Sequence, residues 1–220
     1  MGKKISKNKK IFNKCENIAI SKVENNEVKL ITFDNKNRDY QDKIANFNKD
    51  KIINICFTGE TGVGCQSLVR SILGLPFESA LPCMNGWQLT LLFLINDKKE
   101  YLIHLWNGAG QERYRTMSKN FLKNANIIIF VYDITRKDSF RELFNYHINN
   151  AKEFVEKNFL GCIVGNKNDL YQYEEVSCHE ARDYAEKYGF KFFLSSAKEP
   201  KDFIDNFKKL IIDYLNIKNT

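Results

Sequence analysis

Three short stretches of this 220-residue chain carry residue types and spacings that could do chemistry. In GETGVGCQS, Gly59, Gly62 and Gly64 with Val63 between them let the backbone turn sharply and approach an anion. Leu68, Val69, Ile72 and Leu73 then open a helix. This is a phosphate-binding loop in outline, but its side-chain chemistry is missing. The pattern calls for Lys at the position of Cys65, to reach outer phosphates, and for Ser or Thr at Gln66, to ligate magnesium. A glycine-rich turn alone is weak evidence, since such turns also close strand-to-helix junctions with nothing bound. The other two stretches are GNKND (Gly165 to Asp169) and SSAK (Ser195 to Lys198), each at the end of an apolar run.

The elements that must position these loops follow from hydrophobic patterning. From Lys51 onward the runs IINICF, LTLLFLI, YLIHLW, NIIIFVY, GCIVG and KFFL read as strands. Between them Phe140, Leu143, Phe144, Ile148, Ala151, Phe154 and Val155 recur at helical spacing, as do Phe203, Ile204, Phe207, Leu210, Ile211, Tyr214 and Leu215. Ser139 with Glu142 three residues on reads as a capping box. The pattern predicts an α/β domain over 51–216, with a mostly parallel six-stranded sheet and helices on both faces. Residues 1–50 form a basic, Lys/Asn-rich extension expected to be largely disordered. A faint alternation over 28–33 suggests a hairpin with the segment near Ile18.

Composition narrows the class. A hydrophobic content of 43% with 13% aromatics is that of an ordinary globular protein, and no run is long enough to span a bilayer. No stretch of the first 30 residues resembles a secretory signal, so a cytoplasmic location is expected. Six cysteines are scattered without metal-site spacing, which implies free thiols in a reducing compartment and no protein-held metal. The net charge of +7 is concentrated at Lys3, Lys4, Lys7, Lys9, Lys10 and Lys14, ahead of the first acid, Glu16. That asymmetry suggests an anionic surface as partner, lipid or nucleic acid, or else a solvated tail.

From about Lys51 to Ile211 the sequence resembles the Rab branch of the Ras-superfamily small GTPases. WNGAGQERYRTMS (Trp106 to Ser118) is similar to the family's WDTAGQER segment, VYDIT (Val131 to Thr135) to its fourth strand, GNKND to its NKxD motif and SSAK to its SAK motif. The resemblance implies a P-loop G domain that binds GTP or GDP, a monomer contacting protein effectors through its switch regions, and no nucleic-acid partner. It assigns nucleotide contacts to Gly59, Gly62, Val63, Gly64, Cys65, Gln66, Asn166, Lys167, Asp169, Ser196, Ala197 and Lys198. Gln111 aligns with the residue that positions the attacking water.

Chemistry supports the base site. Asp169 is an acceptor-only carboxylate able to take the N1 and N2 hydrogens of guanine, a pairing adenine cannot make. By resemblance, Asn166 ties its loop to the phosphate loop, Lys167 covers one ring face and Ala197 N–H meets guanine O6. The magnesium positions fare differently. By alignment they are Gln66, Met84 and Asn107, and all three have changed. Methionine sulfur is soft, and Asn107 brings no charge to a hard cation. Gly108 replaces a Thr, which loosens the second switch. Trp87 and Leu89, just after the first switch, read either as an exposed effector-contacting patch or as the start of a buried strand, with the exposed reading preferred for Trp87 alone.

The chain ends bear on membrane attachment. NIKNT offers no cysteine for prenylation, whereas MGKKIS fits the myristoylation pattern with Gly2 as acceptor and Ser6 at its required position. A single acyl chain binds marginally, and the lysine cluster would add the second signal on the cytosolic face of a membrane. Three functions follow: a Rab-like protein of vesicle traffic impaired in magnesium binding and hydrolysis, a slow but genuine GTPase assisted by a partner, or a nucleotide-free scaffold.

Overall fold

A computed structural model describes residues 18–23, 26–31, 44, 46–84, 86–96, 98–108, 110, 118–156 and 158–219. The chain divides into two compact units, 1–52 with 91–103, and 53–90 with 104–220.

In the first unit, β1 (Ile18–Val23) and β2 (Asn26–Ile31) pair antiparallel, from Ile18 opposite Ile31 to Val23 opposite Asn26. β2 then pairs antiparallel with β4 (Trp87–Asn96), placing Lys29, Leu30 and Ile31 opposite Ile95, Leu94 and Phe93. The order here is β1-β2-β4-β5, with β5 spanning Lys99–Gly108. The hairpin suggested by the alternation near Val28 is therefore present as β1 and β2. The backbone of β2 satisfies its ladder against β4, which is what lets so polar a segment take part in a sheet. Beside it, buried Phe93 and Leu102 gather Ile44, Phe47, Ile52 and Ile95, with the Phe47 and Phe93 rings 5.8 Å apart.

In the second unit, β3 (Ile52–Thr58), β6 (Ile127–Asp133), β7 (Leu160–Asn166) and β8 (Lys191–Leu194) run parallel in the order β3-β6-β7-β8. All seven residues of β6 are buried, the continuous apolar pattern of a strand covered on both faces. The six strands expected from the apolar runs are β3 to β8, so the mostly parallel α/β fold is present as read. The helices are α1 (Cys65–Ile72), α2 (Ser118–Leu122), α3 (Lys137–Glu142), α4 (Ile148–Phe154), α5 (Cys178–Tyr188) and α6 (Lys201–Asn219). On α6 the expected stripe is inward, with Phe203 and Phe207 set 6.4 and 6.2 Å from the Phe57 ring. Each such ring contributes about 1.5–3 kcal/mol of burial.

The capping box expected at Ser139 is absent. α3 begins three residues earlier, with Arg136 rather than Ser139 as its cap, and Glu175 Oε2 accepts from Lys137 N at 2.8 Å. Ser139 Oγ instead donates to Arg136 O at 2.7 Å and accepts from Asp133 N at 3.1 Å, which fastens the helix to the end of β6. Between α3 and α4 the chain widens into a π turn, Leu143–His147, a local distortion often found where a side chain must be re-aimed.

Candidate functional site

The end of β3 feeds a turn that sequence and backbone shape together. Gly62 and Gly64 take φ of 82° and 98°, left-handed values that a side chain would strain. Gly64 is the residue before α1, so the turn ends where the helix presents its first unpaired N–H groups. This loop, the strap 78–84 and Gly108 and Gly110 enclose a cleft of about 290 Å³. Gly110 lies so close to Glu60 and Thr61 that any Cβ there would overlap their backbone.

The loop's side-chain chemistry follows the sequence. Cys65 lines the cleft at the start of α1 but is 8% exposed, and burial pushes its thiol up to about 12, outweighing a backbone hydrogen bond that acts the other way. It is therefore a neutral group at working pH, as a space-filling thiol would be. Gln66 is half-buried and lines the same cleft.

The three positions that the resemblance assigns to magnesium ligands carry two amides and a thioether. Asn107 is 2% exposed and its Nδ2 donates to Met84 Sδ at 3.1 Å, while its buried Oδ1 has no hydrogen-bond partner among the described residues. Only the amide nitrogen can donate to a thioether, so the contact fixes which way the amide faces. The oxygens these positions carry, on Asn107 and Gln66, are neutral amide oxygens. Magnesium binding rests on carboxylates and phosphates at near-octahedral geometry, and these residues do not fit it.

At the same, C-terminal ends of the parallel strands, the loops after β7 and β8 carry the other two motifs. Asn166 Nδ2 donates to Val63 O at 2.8 Å, tying this loop to the glycine loop across 103 residues of sequence. Ser196 Oγ donates to Asp169 Oδ1 at 2.7 Å and accepts from Lys198 N at 3.1 Å, leaving Asp169 Oδ2 as a further acceptor. Ala197 is buried beside them. Lys167 takes a left-handed φ of 65° and its Nζ meets Asp133 Oδ2 at 2.6 Å. That conformation costs a non-glycine residue about 1 kcal/mol or more, which the ion pair with a buried carboxylate offsets. The arrangement can offer a paired acceptor to a base carrying two adjacent N–H groups.

Two expectations changed. Trp87 is not an exposed contact: it stacks on Phe121 at 4.8 Å and 16°, and its ring would stand 2.8 Å from a Cβ at Gly108. The glycine that replaces Thr thus makes room for an indole rather than leaving a looser segment. Leu89, two residues on, is exposed instead. Gln111 and Gly2 lie outside the described residues.

Sequence reading missed two residues at the loop. His147 is 5% exposed, with Nδ1 2.8 Å from Thr58 Oγ1 and Nε2 3.1 Å from Glu60 Oε1. Nε2–H donates to the acceptor-only carboxylate, and Nδ1 shares a hydrogen bond with the Thr58 hydroxyl. Arg136 Nη1 donates to Thr61 O at 2.9 Å. Their partners are 89 and 75 residues away in sequence, so no local pattern marks either one.

Residues 51–216 match the model of a family described as the Ras family. The chain is 32% identical to Ras-related protein RABC1 of Arabidopsis thaliana, over 76% of this chain and 78% of that protein. It is 37% identical to Ras-related protein Rab-2B of Dictyostelium discoideum over 69% and 74%, and 30% identical to Ras-related protein Rab-30 of Homo sapiens over 74% and 78%.

Proposed function

Because the chain belongs to the Ras family and is Rab-like, we propose that it is a guanine-nucleotide-binding protein of membrane traffic that holds GTP or GDP with little help from magnesium and hydrolyses GTP poorly or not at all. The observation that carries this reading is the bond from Asn107 Nδ2 to Met84 Sδ, which takes two magnesium-ligand positions of the family and turns them toward each other. The neutral thiol of Cys65 supports it, since hydrolysis depends on charge stabilisation at the transferring phosphoryl group and nothing cationic stands at that position.

Base recognition is assigned to Asp169, oriented by Ser196, with Lys167, Ala197 and Lys198 around it and Asn166 linking it to the glycine loop. The loop residues Gly59, Gly62, Val63, Gly64, Cys65 and Gln66 receive the phosphates through backbone N–H groups. Gln111 is retained for water positioning without the charge it needs. The basic N-terminal extension attaches the protein to a membrane surface, through a myristoylated Gly2 and the lysine cluster, on the cytosolic face. Among the described residues no helix is long and apolar enough to cross a membrane. Effectors dock on the switch segments of a monomer.

Denaturing the purified protein and identifying any released nucleotide, alongside single-turnover GTP hydrolysis, tests the reading. GDP or GTP in the supernatant with hydrolysis close to the uncatalysed rate is expected. Turnover at a rate typical of the family overturns it.

A further inference from the structure

Residues 60, 61 and 63 of the glycine loop are each held from outside by a side chain of a different element. His147 of the π turn engages the Glu60 carboxylate, Arg136 before α3 donates to Thr61 O, and Asn166 of β7 donates to Val63 O. Two of these are donors to main-chain carbonyls. Such donors satisfy the loop's acceptors and polarise the peptides whose N–H groups an anion would meet.

Arg136 differs from Asn166 in carrying a permanent charge. Its Nη1 would stand 3.4 Å from a Cβ on Gly62, and Gly62 is part of the cleft wall. A cation therefore lies directly against the loop. Cys65, on the same wall, is a neutral thiol.

Resting on the guanine-nucleotide reading above, we propose that Arg136 is a positioning residue for the nucleotide's phosphates. It fixes the Thr61–Gly62 peptide and supplies from behind the loop a positive charge that Cys65 does not supply within the cleft. The guanidinium is 37% exposed and shares its Nη2 with Asp138 Oδ2 at 3.3 Å. Both features weaken its field, so the contribution is modest and falls as salt rises.

The test compares equilibrium affinities of the full chain for guanosine and for GDP, by calorimetry without added metal at low and moderate salt. The ratio isolates what the phosphates contribute. Arg136→Gln should weaken GDP binding about three- to fivefold, leave guanosine binding unchanged and flatten the salt dependence, with Arg136→Lys recovering part of the loss. Equal weakening of guanosine and GDP would reduce Arg136 to a structural tether and overturn the proposal, as would an unchanged ratio. A wild-type chain that binds neither ligand overturns the guanine-nucleotide reading and this role together. If the wild type binds both and Arg136→Gln keeps the ratio, only the role of Arg136 is lost.

Discussion

Asn107 donates its amide to the sulfur of Met84 at 3.1 Å, so two side chains at positions that the family resemblance assigns to magnesium ligands hold each other. The bond joins the end of β5 to the strap that walls the cleft. Metal removal should then leave nucleotide retention almost untouched. With fluorescent GDP loaded, titrating EDTA should change the off-rate by less than about twofold, because an ion with no differential contact shifts nothing. A large acceleration would reveal a metal site after all.

Base selectivity rests on Asp169 and its tie to Ser196. Guanine nucleotides should outcompete adenine nucleotides, and Asp169→Asn should abolish or reverse the preference, since the amide cannot accept at both positions. Competition assays with GDP and ADP read this directly. Equal displacement by ADP in the wild type would sink the assignment.

Restoring the lost phosphate chemistry gives a graded prediction. Cys65→Lys with Gln66→Ser should raise nucleotide affinity by about one to two powers of ten, through charge-assisted hydrogen bonds of roughly 1.5–3 kcal/mol. Magnesium dependence should begin to appear while hydrolysis stays low, because Asn107 and Met84 still face each other. Adding Met84→Thr and Asn107→Asp should bring Gln111 into use, measured as single-turnover GTP hydrolysis across wild type, double and quadruple variants.

The family's Thr cannot simply be put back at Gly108. The Trp87 ring occupies the space a Cβ would need, so Gly108→Thr should destabilise the protein by about 1–3 kcal/mol, as overpacking does. Urea denaturation of the variant against wild type measures the loss. Unchanged stability would mean that Trp87 is free to move aside.

Cys65 links reactivity to pH. Burial pushes its thiol up to about 12, well above an ordinary thiol, so it contributes stability in full below about pH 9 that is lost as pH climbs toward 12. Near neutral pH it should resist alkylation while exposed Cys83 reacts, as mass spectrometry of iodoacetamide-treated native protein would show. Rapid labelling of Cys65 in the folded state would contradict its burial.

Much of this was legible in the sequence because it is local. Apolar runs such as NIIIFVY announce buried parallel strands, and β6 is buried along its whole length. GNKND and SSAK place Asp169 and Ser196, whose hydrogen bond then forms in space. What escaped depends on distant partners. Trp87 looked like a surface contact because nothing in its neighbourhood announces Phe121. Arg136 and His147 reach the glycine loop only once β3 and β6 lie side by side. Ser139 resembled a cap because Glu142 follows at the right interval, yet Asp133 and Arg136 claimed its hydroxyl.

The pairing of Trp87 with Phe121 has an optical consequence. The chain has two tryptophans, and the second, Trp106, packs against the same Phe121 ring at 4.9 Å. Trp87 starts β4, just after the strap, and Trp106 lies next to Asn107, so the tryptophan emission of the protein, excited selectively at wavelengths where tyrosine does not absorb, arises beside the Met84–Asn107 bond. The molecule carries its own unlabelled reporter: ligands that move the strap shift its fluorescence, and ligands that leave the strap alone are silent.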